Sequence, residues 1–152
     1  MNGNIQPKPV HTSALLRGLF SASKITSFLD KEADALGMQP LHEYISELCE
    51  QKGMLRVEVV RRSGIERSYG FQLFQGTKRP SRDKVIQLAI GFGMDYDETQ
   101  ELLKHSRHSS LYPRFRRDAA IIFSLNKHLS FTETQELLAG IDTATLGKEA
   151  DR

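Results

Sequence analysis

Apolar residues recur at helical spacing along most of this chain. The clearest case lies between residues 41 and 52, where five apolar positions follow the i, i+3, i+4, i+7 order of a helix with one buried face: Leu41, Tyr44, Ile45, Leu48 and Cys49. Gly53 follows, and glycine is the residue that most often ends a helix. The pattern therefore predicts a core-facing helix in which Cys49 is a buried small hydrophobe.

The same periodicity predicts further helices. Their approximate bounds are Thr12 to Phe20, Ser23 to Leu36, Arg82 to Phe92, Tyr96 to His105 and Pro113 to His128. Ser23 and Ser81 precede two of these helices, and a serine hydroxyl at that place accepts a free backbone N–H group. Residues 1 to about 11 are predicted to form a flexible tail, and those after Leu146 a disordered one.

The second half of the chain contains an internal repeat. The hexapeptide ETQELL occurs at 98–103 and again at 133–138, and nine of 22 positions are identical between 82–103 and 117–138. Both copies carry the sequence of a capping box before their second helix, Asp95 with Glu98 and Ser130 with Glu133. We therefore predict a helical hairpin used twice, with the second copy packed against the first or against another subunit.

Composition limits the class of protein to which this all-α pattern can belong. The 152 residues are 39% hydrophobic and 26% charged, as in an ordinary globular domain, and no apolar run approaches the length of a membrane helix. The first residues are polar and include two prolines, unlike a signal or transit peptide, which favours a cytoplasmic protein. Cys49 is the only cysteine, so no disulfide can form within the chain.

Basic charge is concentrated in one part of the chain. The segment from Arg56 to Arg82 contains seven basic and two acidic residues, although the whole chain carries only +2. A second basic cluster follows Pro113 and consists of Arg114, Arg116 and Arg117. Two interpretations are open from charge alone: a phosphate-binding surface, or a solvated helix face without a partner.

Residues 55–80 carry the most specific pattern. They predict two short helices, joined by a turn at Ser63-Gly64-Ile65 and followed by a basic loop, which is the layout of a helix-turn-helix. Val59 and Val60 supply the inward face of the first helix, and Ile65 and Leu73 anchor the second. Gly64 lies where the turn requires a positive φ.

The remaining residues of the second helix are predicted to point outward, towards the major groove of DNA. The candidate base-reading residues are Glu66, Arg67, Ser68, Phe71, Gln72 and Gln75. Arg56, Lys78 and Arg79 flank the two helices, where contacts to the phosphate backbone would position the module.

These residues resemble the DNA-binding module of the xenobiotic-response-element (XRE) regulators, a family that includes lambda-repressor-like and Cro-like proteins. The resemblance covers about Leu41 to Leu103 and is carried by Arg62-Ser63-Gly64-Ile65, Arg67-Ser68-Tyr69, Gly76 and Arg79-Pro80-Ser81. It implies a five-helix all-α fold, sequence-specific DNA binding and, often, dimers on palindromic sites. It places Arg67, Ser68 and Gln72 at base-reading positions, and Arg56, Lys78 and Arg79 at backbone positions.

The chain differs from the family pattern within the two helices. Val60 stands where the family usually has alanine, Gly70 where it usually has a bulky aliphatic, and Phe71 and Phe74 where polar residues are usual. Two explanations of the phenylalanines are open: they fill the space that Gly70 leaves, or they contact a thymine methyl group or another protein.

The sequence thus predicts three parts. They are a flexible tail with N-terminal helices (1–38), a lambda-repressor-like helix-turn-helix domain (39–106), and an accessory helical hairpin with a disordered tail (107–152). The predicted function is a bacterial or phage-type transcriptional regulator that binds double-stranded DNA. The alternative is a protein-interaction adaptor or antitoxin on the same scaffold. The expected partners are DNA, a second copy and a protein partner, without a membrane.

Other chemistries find little support in the sequence. His105 and His108 are three positions apart, but no further cysteine or histidine completes a metal-binding set, so both are predicted to be loop residues. The segment Gly91-Phe92-Gly93 lacks the context of a phosphate-binding loop, and no nucleophile–histidine–acid arrangement stands out. We therefore expect neither an enzyme nor a cofactor.

Overall fold

A computed structural model describes residues 12–33 and 36–147, and within these ranges the chain contains helices and loops but no strand. The helices are α1 (Thr12–Ser21), α2 (Ile25–Lys31), α3 (Leu41–Lys52), α4 (Arg56–Ser63), α5 (Arg67–Gln75), α6 (Arg82–Phe92), α7 (Tyr96–His105), α8 (Arg116–Asn126) and α9 (Phe131–Gly140). The predicted all-α class is confirmed. The predicted tails at 1–11 and beyond residue 147 lie outside the described residues.

The chain divides into two compact units, residues 1–38 and 39–152. In the first unit, α1 contacts α2, and Phe28 is the buried residue of α2. The prediction for α2 was wrong at both ends. Its N-cap is Lys24 rather than Ser23, with no side-chain cap, and the helix ends at Lys31 because the backbone of Glu32 leaves the helical region. None of the helices in the described ranges has the length and apolarity needed to cross a membrane.

In the second unit, local signals set the end of α3 and the starts of α6, α7 and α9 where the sequence predicts them. Gly53 ends α3 in the left-handed conformation, and the N–H of Met54 donates to the carbonyl oxygen of Cys49. The hydroxyl of Ser81 accepts the N–H of Lys84 at the start of α6. Both predicted capping boxes are present, at the starts of α7 and α9.

Helix α6 forms the centre of the second unit. Nine of its eleven residues are buried, so α6 has almost no solvent-facing side. Helices α4, α7 and α9 pack against it. The α4–α6 contact is close, since Gly91 faces the backbone of Val59, and the side-chain amide of Gln87 donates to the carbonyl oxygen of Ser63.

Helix α8 begins three residues later than predicted. Tyr112 to Phe115 form a turn, in which the N–H of Phe115 donates to the carbonyl oxygen of Tyr112. Phe115 is extended (ψ 129°) and serves as the N-cap, so Pro113 precedes the helix instead of lying in its first turn. The helix ends at Asn126, before the predicted His128.

The two copies of the repeat pack against each other within the second unit. Helix α6 contacts α9, and α7 contacts α8. At the starts of α6 and α8, Arg82 pairs with Asp118 and Arg117 pairs with Asp83, with both carboxylates nearly buried. The hydrophobic core therefore includes side chains on both sides of residue 106, such as Leu103 and Ile121.

Asp83 is held as a carboxylate at this junction. Burial by itself raises the pKa of Asp83, but hydrogen bonds from Arg117 and the N–H of Gly147, with the charges of Arg117 and Arg82, outweigh it and leave the pKa below its usual value. The ionised form of Asp83 thus stabilises the packing of the repeats.

The difference from the family pattern at positions 60 and 70 has a packing explanation. A Cβ atom added to Gly70 would lie 2.7 Å from Cγ2 of Val60 and closer still to Cγ1. The side chain of Val60 therefore fills the space beside Gly70, and a share of Phe71 and Phe74 in filling it stays a prediction. A larger residue on α4 compensates for a smaller one on α5.

We expect Gly70→Ala to lower the free energy of unfolding. In an unconstrained helix this change stabilises by about 1 kcal/mol, whereas the overlap with Val60 should cost about 1–3 kcal/mol. In the double variant Val60→Ala/Gly70→Ala the overlap is removed, so its loss should be smaller than the sum of the two single losses. Urea unfolding of the four proteins measures this coupling. Strict additivity would contradict the proposed contact.

Replacing Asp83 with asparagine should destabilise the fold by about 1–3 kcal/mol, because Arg117 loses its charged partner in a half-buried site. Asp142→Asn removes the same charge at an exposed position and is the matched control. Equal melting temperatures for the two variants would contradict a stabilising role of Asp83.

Comparing the wild type with Asp83→Asn over a range of pH tests how the stabilisation by Asp83 depends on pH. Since folding lowers the pKa of Asp83, its stabilisation is present above the pKa of the unfolded chain and is lost as the pH falls through the lower pKa of the folded state. Below about pH 4 the wild type should therefore lose stability more steeply than Asp83→Asn. Parallel stability profiles in acid would contradict this assignment.

Candidate functional site

Helices α4 and α5 are joined by a three-residue turn whose conformation is fixed by short-range contacts. Gly64 ends α4 in the left-handed conformation (φ 70°), as the sequence predicts. The hydroxyl of Ser63 donates to the carbonyl oxygen of Val60 and accepts the N–H of Ile65. Ile65 is buried, so the turn is anchored in the core and the direction of α5 is set by α4.

Glu66 begins α5 as its N-cap. Its carboxylate accepts the N–H groups of Ser68 and Tyr69, at 3.0 and 2.9 Å. These two hydrogen bonds are the main reason why the pKa of Glu66 lies below its usual value. Sequence reasoning missed this role, because glutamate is not among the residues that usually cap a helix. The base-reading role of Glu66 stays a prediction.

Helix α5 has one buried and one open face. Gly70, Leu73 and Phe74 are buried against the rest of the unit. The predicted base-reading residues occupy the other side: Arg67, Ser68 and Gln75 are exposed, and Phe71 and Gln72 are half-exposed. Positions 67, 68, 71, 72 and 75 follow helical spacing, so they form one continuous strip, here called the α5 strip.

Unpaired cations surround the α5 strip. Within the described residues, Arg56, Arg67, Lys78 and Arg79 make no ion pair, and all four are exposed. The guanidinium of Arg56 lies 5.3 Å from the centre of the Phe74 ring, so this cation contacts α5. The guanidinium of Arg67 lies 5.7 Å from the ring of Phe71. The strip and its flanks thus carry charge that no protein group neutralises.

Several of the other basic residues have structural partners. Arg61 pairs with Glu58, Arg82 with Asp118 and Arg117 with Asp83. Arg116 donates to the carbonyl oxygen of Ile141. Arg117 is thus engaged with the nearly buried Asp83, and phosphate binding by the second basic cluster stays a prediction. The signal that was available is the repeat, in which an Arg-Asp dipeptide recurs at 82–83 and 117–118.

The aromatic residues of α5 separate into two classes. Phe74 is 3% exposed and belongs to the hydrophobic core, which excludes a contact with DNA or with another protein in the folded chain. Phe71 is half-exposed beside Arg67, so the second explanation stays open for Phe71 alone. Helical spacing places 74 with the buried positions 70 and 73, and this signal could have separated the two.

The histidines considered for metal binding have other contacts. The ring of His105, at the end of α7, stacks on Tyr44 at 3.8 Å between centroids. Nε2 of His108 lies 2.8 Å from the carbonyl oxygen of Pro80 and joins two loops. Among the described residues, no group of three or more histidine, cysteine or acidic side chains could hold a metal ion. Cys49 is buried, and this burial raises the pKa of its thiol.

No protein-family model matches the chain, and comparisons with curated proteins and with solved structures give no match.

Phe74→Ala should lower the free energy of unfolding by about 3–5 kcal/mol, as expected when a buried aromatic ring is removed. Phe71→Ala is the matched change one helical turn away, and because Phe71 is only partly buried the loss should be smaller. Denaturant unfolding of both variants gives the two values. Similar losses would contradict the division of α5 into a buried and an open face.

Proposed function

We propose that this chain is a sequence-specific transcriptional regulator that binds double-stranded DNA through a lambda-repressor-like helix-turn-helix, formed by α4 and α5 within the five-helix set α3–α7. The observation that carries the proposal is the α5 strip. It is a row of side chains, polar except for Phe71, that are exposed or partly exposed in the second unit, and exposed cations without an ion pair among the described residues precede and follow it in the chain. A solvated face without a partner would not require this arrangement on the helix that follows a buried turn.

The chemistry of the strip fits the edges of base pairs. Arg67 has the planar guanidinium that bonds O6 and N7 of guanine, and Gln72 and Gln75 have amides that pair with adenine. Ser68 adds a hydroxyl that bonds several bases. Phe71 offers an apolar edge to a thymine methyl group and lies against Arg67, which restricts the rotamers of that arginine.

The flanking cations fit the phosphate backbone. Lys78 and Arg79 lie in the loop after α5, and Arg56 lies in the first turn of α4, so the strip has basic side chains before and behind it. Such contacts fix the register of a recognition helix without reading sequence. The family pattern is compatible with this packing, since the valine at 60 and the glycine at 70 compensate each other in size.

The alternative, a protein-interaction adaptor or antitoxin on the same scaffold, has less support than DNA binding. It was motivated in part by the aromatic character of α5, and the burial of Phe74 removes one of those residues. Phe71 and the added N- and C-terminal helices still support it, as does the exposure of Tyr112, Phe115 and Phe123 outside α5. Selection of bound sequences from a random pool of duplexes separates the two, because an adaptor would enrich no motif.

Arg67→Ala and Lys78→Ala should weaken DNA binding in different ways. Loss of Arg67 should relax the preference at one base position, with about 1–3 kcal/mol lost on the selected site and little on random DNA. Loss of Lys78 should weaken all sequences alike and reduce the salt slope of log K by about 1. Fluorescence anisotropy with selected and random duplexes over a salt series measures both effects.

Lys127→Ala is the control for these variants. It removes one exposed positive charge at the end of α8, outside the α5 strip, and should leave affinity and salt slope close to those of the wild type. Binding that is independent of salt, or equal losses in all three variants, would contradict the proposed interface.

A further inference from the structure

The two copies of the repeat, residues 82–112 and 117–147, contact each other reciprocally. Nη1 and Nη2 of Arg82 lie 3.1 and 3.0 Å from the two carboxylate oxygens of Asp118. Nη1 and Nη2 of Arg117 lie 2.9 Å from the corresponding oxygens of Asp83. Each copy therefore gives its arginine to the aspartate of the other copy, with the same bidentate geometry.

The same reciprocity holds for the backbone around these pairs. The N–H of Tyr112, at the end of the first copy, donates to Asp118 of the second. The N–H of Gly147, at the end of the second copy, donates to Asp83 of the first. Tyr112 and Gly147 are 35 positions apart, which is the offset of the sequence repeat.

Contacts inside each copy repeat at this offset too. Each arginine donates to two carbonyl oxygens of its own closing loop: Ser109 and Ser110 for Arg82, and Ala144 and Thr145 for Arg117. One glutamine in each copy makes two hydrogen bonds to the backbone of a buried leucine: its side-chain NH2 donates to the leucine carbonyl oxygen, and its side-chain oxygen accepts the leucine N–H. The pairs are Gln100 with Leu111, and Gln135 with Leu146. The two hairpins are thus the same structural unit, closed in the same way.

Contacts in which i meets j and j meets i define an isologous interface, the type that a two-fold axis produces between identical subunits. Here α6 contacts α9 as α8 contacts α7, and the Arg-Asp dipeptides exchange partners across the junction. The first hairpin therefore presents a face that fits a unit like itself, and the second hairpin covers that face.

We propose that the C-terminal hairpin takes the place of a second copy of this chain, so that the protein is a monomer and binds a single, non-palindromic site. The part of this proposal that concerns DNA rests on the proposed function. It differs from the dimer on a palindrome that the family resemblance implies. In a dimer through the uncovered face, Arg82 of each copy would pair with Asp83 of the other.

Covalent linkage explains why the internal partner prevails. Only residues 113–116 separate the two copies, and a short linker of this kind gives an effective concentration of ~1 mM. A second chain at micromolar concentration is then at a disadvantage of about a thousandfold for the same face. The face is occupied before a second copy can reach it.

The first test measures the wild-type chain. Light scattering and sedimentation equilibrium, from micromolar to submillimolar concentration, should give the mass of one chain throughout. Titration of a selected duplex should give one chain per duplex, and the selected motif should lack two-fold symmetry. A stable dimer in solution, or two chains on a palindromic motif, would overturn the proposal.

The second test weakens the contact between the two hairpins, so that the face of the first hairpin becomes accessible to a second copy of the chain. The double variant Arg117→Asp/Asp118→Arg keeps the net charge but opposes like charges in both pairs, while Arg82 and Asp83 remain able to pair with a second copy. We expect a concentration-dependent dimer. The control is Glu101→Lys/Lys104→Glu, which reverses an exposed pair on α7 and should stay monomeric. A folded double variant that stays monomeric would overturn the proposal.

The outcomes separate the two proposals. If the double variant does not fold, the mass of the wild type in solution and its number of chains per duplex decide whether the hairpin replaces a second copy. If the wild type selects no DNA motif, the proposed function fails, whereas the mass measurements still test the replacement of a second copy by the hairpin.

Discussion

Almost the whole surface of α6 is buried, and this burial is the constraint on which the second unit depends. Nine of its eleven residues are inaccessible, including Asp83 and Gln87. Such a helix is stable when other elements cover its sides and most of its polar groups find partners. Helices α4, α7 and α9 supply the cover, and Arg117 pairs with Asp83. Nε2 of Gln87 donates to the carbonyl oxygen of Ser63, whereas its Oε1 has no hydrogen-bond partner among the described residues.

The position of the α5 strip follows from that arrangement. Helix α4 lies close to α6 and carries the turn that directs α5, while Val60 fills the space beside Gly70. The inward face of α5 is thereby packed, and the opposite face is exposed or partly exposed in the second unit. A rigid helix that presents polar side chains from a packed support is what sequence reading of DNA requires.

Ion pairing divides the basic residues into those that hold the fold and those that have no acidic partner among the described residues. Arg82 and Arg117 are bound to nearly buried carboxylates at the junction of the repeats. Arg56, Arg67, Lys78 and Arg79 have no such partner among the described residues and lie on or beside the α5 strip. This division explains why a net charge of only +2 is compatible with a strongly basic surface.

The sequence by itself determined the helical class, the ends of α3, α6 and α7, the left-handed turn at Gly64 and both capping boxes. Periodicity and caps depend on residues within one or two turns of each other, so they are visible in a linear pattern. The same signals failed at the ends of α2 and α8, where the predicted serine cap and first-turn proline were not used.

Only the tertiary structure decided which side chains are buried or paired and which are exposed. It placed Phe74 in the core and Phe71 at the surface, set Val60 against Gly70, and joined Arg82 to an aspartate 36 positions away. These outcomes depend on which helices become neighbours in space, and a linear pattern contains no record of such distances. The repeat showed that two hairpins exist, whereas their reciprocal contact, and with it the face that the second hairpin covers, appeared only in the folded chain.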